Sequence, residues 1–257
     1  MPQKSLFPQI KPKAAKVEPL EWNGLLRCCL WGRFGAGKTV CAATAPGPRR
    51  IYDTEQGLLS IRAVKDVDRI AAEEDGMITV MEDFAHVLDK GLDEEYETII
   101  VDGLSTLQSA TMGVILGDFD TPEQRDYLRI SEWIRRFILM MKQAKCHLIF
   151  TAHERIDEGY ATPGLSPACR DQMIAQMDLV ARIVTAGDVG GKLLEKVGNP
   201  KTRLLLTDKH SRLGQVSPGD GKDRLGVLKA IEPNPNITEI IERLQKEYAS
   251  GKEDKGK

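Results

Sequence analysis

"WGRFGAGKTV", Trp31 to Val40, is the stretch on which the fold turns. Apolar "LLRCCL" (25–30) precedes it and small-residue "CAATA" (41–45) follows. Three glycines, a lysine and a threonine therefore sit between a strand-like and a helix-like segment. Gly32 to Thr39 satisfies the pattern G-x-x-x-x-G-K-S/T at every position. The pattern demands these residue types for physical reasons. Glycines let the backbone curl so that successive N–H groups point at a β-phosphate, and the following helix adds the positive end of its dipole. Lys38 reaches the β- and γ-phosphates, and the Thr39 hydroxyl coordinates magnesium. The candidate nucleotide cradle is Gly32, Gly35, Ala36, Gly37, Lys38, Thr39 and Val40, with ATP and Mg2+ as the expected ligands.

The bulk composition fits this reading. With 257 residues, 41% hydrophobic and 29% charged, the chain has the make-up of a soluble globular protein and length for one large domain. Apolar runs such as "FILMM" (137–141) fall far short of the ~18 residues of a membrane span, and the N-terminus lacks a signal-peptide core. A cytoplasmic protein without a membrane partner is expected. Five cysteines (28, 29, 41, 146, 169) form no C-x-x-C pair and no metal-like spacing with the four histidines, which implies buried thiols. The net charge of −2 gives no global nucleic-acid signature. Its distribution is uneven, with fourteen acids against four bases from Asp53 to Glu97 and nine bases against four acids from Lys192 to Lys229. That asymmetry allows a polyanion surface, or simply two solvated faces of opposite sign.

Residues 1–20, with Lys4, Lys11, Lys13, Lys16 and four prolines, read as a flexible basic tail, 21–249 as the core, and 250–257 as a disordered end. Within the core, strand-like and helix-like segments alternate. "LLRCCLW" and "RRIYDTE" flank the first helix, and "ETIIVDG" (97–103) and "CHLIFTA" (146–152) have the apolar, β-branched character of strands buried on both faces of a parallel sheet. Thr121, Pro122 and Gln124 predict a capping box at the start of a helix whose apolar residues Tyr127, Ile130, Ile134, Phe137 and Met141 recur at three and four. "DLVARIV" (178–184) and "TRLLLTD" (202–208) read as two more strands, an antiparallel extension on the C-terminal side. "ITEIIERLQKEY" (237–248) reads as a terminal helix. This is the pattern of an α/β protein whose mostly parallel central sheet is flanked by helices, with ligands at the carboxyl ends of the strands.

Asp102 closes "YETIIVDG" at a strand end, where a carboxylate can reach the magnesium of the phosphate loop through water. Many ATPases place a catalytic glutamate next, to orient the attacking water, but here the next residue is Gly103. The carboxylate must come from elsewhere. "IYDTEQG" (51–57), on the strand after the first helix, offers Glu55 beside the γ-phosphate. The layout resembles the RecA-type recombinase core, a P-loop NTPase fold in which a D-x-E segment after the second strand carries the catalytic glutamate.

The resemblance implies further roles. His153, at the end of "CHLIFTAHE", stands where those proteins carry a polar γ-phosphate sensor, generally glutamine; a strand-end histidine bonded to a neighbouring loop is the plainer alternative. The segment "RIDEGYATPGLSPACRDQM" that follows is expected to be a mobile DNA-contacting loop. "TDKHSRLG" (207–214) resembles the Lys and Arg pair that ring-forming relatives present to the nucleotide of the next subunit, so Lys209 and Arg212 are the candidates in trans. Phe7 in the tail resembles an aromatic that docks on the neighbouring core. The resemblance covers about residues 22–232 without large accessory domains. In this it looks like the small phage-encoded RecA-like ATPases classed with single-strand annealing proteins. Membership there implies a DNA-stimulated ATPase of recombination that binds single-stranded DNA, promotes annealing or strand exchange and forms a ring or filament, alongside a single-strand DNA-binding protein, in host cytoplasm. The competing readings are a nucleotide-switched DNA motor or loader subunit, and a P-loop small-molecule kinase, for which only Arg155 and Arg170 could serve a lid.

Overall fold

Alternation of side chains along a strand sends neighbours to opposite faces of a sheet, so a run that is apolar at every position needs cover on both sides. A computed structural model of the protein, describing residues 23–71, 77–117, 121–157, 160–207 and 222–253, shows that cover. In chain order the elements are β1 (Arg27–Gly32), α1 (Lys38–Ala42), β2 (Arg49–Asp53), β3 (Val67–Ala71), α2 (Met77–Lys90), β4 (Thr98–Asp102), α3 (Leu104–Leu116) and α4 (Gln124–Met141). They continue with β5 (His147–Asp157), β6 (Tyr160–Pro163), α5 (Pro167–Gln176), β7 (Leu179–Thr185), α6 (Ala186–Val189), α7 (Gly191–Val197), β8 (Arg203–Leu206), β9 (Lys222–Asp223), β10 (Ile231–Pro233) and α8 (Ile237–Glu253).

The strand order is β10-β8-β7-β1-β5-β4-β2-β3. From β7 through β3 the neighbours are parallel, whereas β8 and β10 run antiparallel, as does the short β9 against β7. The expected α/β architecture, with its antiparallel extension on the C-terminal side, is thus present. Cys29, Trp31, Ile99, Val101, Leu148 and Phe150 face one layer, built with Phe84, Leu107, Ile134, Phe137 and Met173 of α2 to α5. Their strand neighbours Cys28, Leu30, Ile100 and Ile149 face the other, with Cys41 and Ala42 of α1 and Ile237, Ile240 and Ile241 of α8. All five cysteines are buried, unpaired thiols. Among the described residues no helix is long and apolar enough to cross a membrane.

Two expectations need correction. Helix α4 starts at Gln124, not at Pro122: Glu123 is its N-cap and Asp126 closes the capping box, because Asp126 accepts the Glu123 N–H at 3.0 Å. The segment after His153 is not an open loop. It continues β5 to Asp157, returns antiparallel as β6 and enters α5, with Ala161, Leu165, Cys169 and Met173 buried in the core. Apolar anchors at those four positions give its glycines and prolines a packed framework. The tail 1–20, with Phe7, lies outside the described residues; helix α8 extends to Glu253.

Candidate functional site

Sheet order assembles the site. Strand β5 lies between β1 and β4, with Gly32 level with His153, and Asp53 on β2 level with Asp102 on β4. Four strands therefore deliver Gly32, His153, Asp102 and Asp53 to one edge. From Gly32 the chain makes a loop through Gly35 (φ 74°) and Gly37 (φ 93°), left-handed conformations that glycine adopts without strain, before α1 begins. Lys38 folds back over this loop, its Nζ donating to the carbonyls of Gly32 and Arg33 at 3.1 Å each. Burial pulls its ammonium below the ordinary lysine range. At the outer side of the loop Arg33 pairs with Glu154 (3.2 Å), and Arg182 holds the other oxygen of that carboxylate at 2.7 Å while its guanidinium lies over Trp31.

At its start, α1 meets the end of β4. The Thr39 hydroxyl donates to the Asp102 carboxylate, 3.1 and 3.0 Å from its two oxygens, and Thr151 on β5 donates to Oδ1 at 2.7 Å. Thr151 in turn accepts the Gly103 N–H at 2.8 Å. Burial pushes the Asp102 carboxyl above its ordinary range; the hydroxyl bonds pull it down, and the nearby Glu55 and Asp53 carboxylates push it up. One hydroxyl and one carboxylate are hard oxygen donors. They suit Mg2+, which takes one or two protein ligands and completes its shell with phosphates and water. Among the described residues no group of three or more His, Cys, Asp and Glu is arranged to hold a metal without such help.

Glu55 stands on a tethered turn. Thr54 reaches across to β4, donating its N–H and hydroxyl to the Asp102 carbonyl at 3.2 and 2.8 Å. The fully buried Asp53 carboxylate accepts the Glu55 and Gly57 N–H groups, both at 3.3 Å, and pairs with Arg69 at 2.8 Å. Glu55 Oε1 then lies 2.6 Å from His153 Nε2 and accepts the Thr106 hydroxyl at 3.2 Å. The bond to His153 holds the Glu55 carboxyl below its ordinary range, overcoming burial, with Lys38 adding to the effect. Besides Glu55, two neighbours fix His153. Its backbone N–H donates to Ser105 Oγ (3.0 Å) and its ring lies 4.0 Å from the Phe34 ring, while Nδ1 is buried with no partner among the described residues.

The glycine after Asp102 now has a reason. Gly103 has φ 103°, and a Cβ there would collide with Thr54 Oγ1 and the Glu55 side chain. The space a glutamate at 103 would use is occupied by Glu55.

Lys38, Thr39, Asp102, Glu55 and His153 thus converge, whereas Lys209 and Arg212 lie outside the described residues. Thr54, Thr151 and Glu154 emerge only from the structure, as does the anchoring role of Asp53, the first residue of the D-x-E segment. A buried threonine inside the apolar run "CHLIFTA" was the one sequence sign of Thr151.

A family model described as an AAA domain matches residues 25–224. No curated protein matches the chain. Among solved structures the chain is similar to a KaiC-like protein, PH0186, from the hyperthermophilic archaeon Pyrococcus horikoshii OT3. The identity is 14% and the TM-score 0.43, over 70% of this chain and 77% of that one.

Proposed function

The chain belongs to the AAA domain family, and from this premise we propose that it is a RecA-like ATPase that binds MgATP and hydrolyses it in step with single-stranded DNA. The observation that carries the reading is the Glu55–His153 contact of 2.6 Å, set beside the Thr39–Asp102 pair at the mouth of the glycine loop. Lys38 and the loop amides hold the phosphates, and Thr39 with Asp102 would hold the magnesium that offsets phosphate charge. Glu55, kept ionised by its hydrogen bonds, orients water and takes its proton; His153, given the γ-phosphate as a competing partner, lets Glu55 go. Lys209 and Arg212 act on the nucleotide of a neighbouring protomer in a ring or filament.

The link to DNA runs along β5. This strand carries His153 and continues to Asp157, so movement at the phosphate end reaches a hairpin on which Arg155, Ile156 and Tyr160 are exposed. A cation with an aromatic is the usual platform for unpaired bases. On this reading the protein promotes annealing or strand exchange in phage DNA recombination, in the host cytoplasm and together with a single-strand DNA-binding protein.

The test is ATP turnover with and without single-stranded DNA at several protein concentrations. DNA should raise turnover, Lys38→Ala should abolish it with DNA binding, and Glu55→Gln should cut it at least ~100-fold while MgATP still binds. Wild-type turnover indifferent to DNA, or full hydrolysis by Glu55→Gln, would remove the recombinase reading.

A further inference from the structure

Three of the arginines that reach carboxylates around the site are already engaged: Arg33 and Arg182 share Glu154, and Arg69 pairs with Asp53. Arg203 differs. It opens β8, two strands from β1 on the side away from Asp102, and its side chain runs over the bare α-carbon of Gly37. A Cβ at Gly37 would collide with its Nε and Cδ and come within 3.1 Å of Cζ. Its backbone is pinned, since the Arg203 carbonyl accepts the Asn234 N–H at 2.8 Å and the strand pairs with β7 at Thr185. Among the described residues no carboxylate pairs with the guanidinium. Its charge is felt by Cys41 one turn into α1, where it opposes the effect of burial on that thiol.

A guanidinium without a counter-charge among the described residues, laid against the loop over which Lys38 also folds, is cation upon cation. Such an arrangement is favourable once an anion lies between. We propose that Arg203 is a nucleotide-binding residue acting within its own protomer, clamping the phosphate chain at the end nearest the nucleoside. This rests on the reading of the glycine loop as a nucleotide site. Direction follows from strand order: Glu55, His153 and Asp102 lie on the β5-β4-β2 side, where the terminal phosphate reacts, so the opposite, β7-β8 side faces the nucleoside end. Arg203 therefore meets the part common to ADP and ATP. It is distinct from Lys209 and Arg212, which are proposed to act across a subunit boundary.

The experiment is calorimetric titration of MgADP and MgATP into wild type, Arg203→Gln and Arg203→Lys, with melting curves taken with and without nucleotide. Loss of a charge-assisted bond predicts ~10- to 100-fold weaker binding of Arg203→Gln to both nucleotides alike, with part of the loss restored in Arg203→Lys. Without nucleotide, Arg203→Gln should melt no lower than wild type, because an uncompensated charge has been removed. Affinity within ~2-fold of wild type, or a lower melting temperature with affinity kept, would overturn the proposal and leave Arg203 a packing residue. A loss for MgATP alone would overturn it too, by assigning Arg203 to the terminal phosphate. If wild type itself binds neither nucleotide, the reading of the loop has failed, an outcome distinct from all of these.

Discussion

Asp53 acts on the proposed chemistry at one remove. Its carboxylate is sealed from solvent and ties down the N–H groups of Glu55 and Gly57, so its charge fixes where the Glu55 side chain starts. Asp53→Asn keeps the shape but weakens both bonds and the pair with Arg69. Turnover is expected to fall on the order of 10-fold, with MgADP affinity retained, because only the base is displaced. Parallel kinetics and calorimetry check the split; equal loss in both would make Asp53 a folding residue. His147 makes a prediction about acid. Its Nδ1 accepts the Leu26 N–H at 2.9 Å, and burial, with Arg27 nearby, lowers its pKa to about 4. The folded protein thus resists a proton that the unfolded chain takes up near pH 6.5. Stability is full above pH 6.5 and declines as the pH falls towards 4, by up to about 3 kcal/mol. Urea melts between pH 7 and 4.5 should show this slope, and His147→Asn, whose amide oxygen can still accept, should flatten it.

Elements differ in how openly the chain declares them. Strands β1, β4 and β5 are legible because each is covered on both faces, and continuous apolar runs allow little else. Strands β3 and β6 escape notice: "VDRIA" and "YATP" are short and hold polar residues, since β3 is a sheet edge and β6 pairs with β5 alone. The site follows the same rule. Lys38, Thr39 and Asp102 sit in local patterns, whereas Arg203 meets Gly37 only because β8 pairs with β7 and β7 with β1. Helix α1 shows how such distant contacts matter. It has five residues, too few to hold itself, and its end is secured by Thr44. The Thr44 hydroxyl accepts the Ile237 N–H at 2.8 Å and donates to the Cys41 carbonyl at 2.6 Å, so one side chain joins α1 to α8. Thr44→Ala should cost about 1 kcal/mol, comparable to a lost helix cap, measurable by denaturant melts.

For the whole molecule, the two layers are unequal partners of the sheet. One is made by α2 to α5, contiguous in the chain; the other depends on α8, which contributes Ile237, Ile240, Ile241 and Leu244 beside α1. Each buried aliphatic is worth about 2 kcal/mol, so together they approach the entire stability of an ordinary domain. A chain ending at Asn236 is expected to lose its cooperative thermal transition, observable by circular dichroism. The seam between Thr44 and Ile237 spans nearly two hundred residues. During translation, then, the glycine loop leaves the ribosome long before the helix that steadies it. The α1–α8 seam can close only after α8 has followed, so the five-residue helix beside the glycine loop gains its distant anchor late in synthesis.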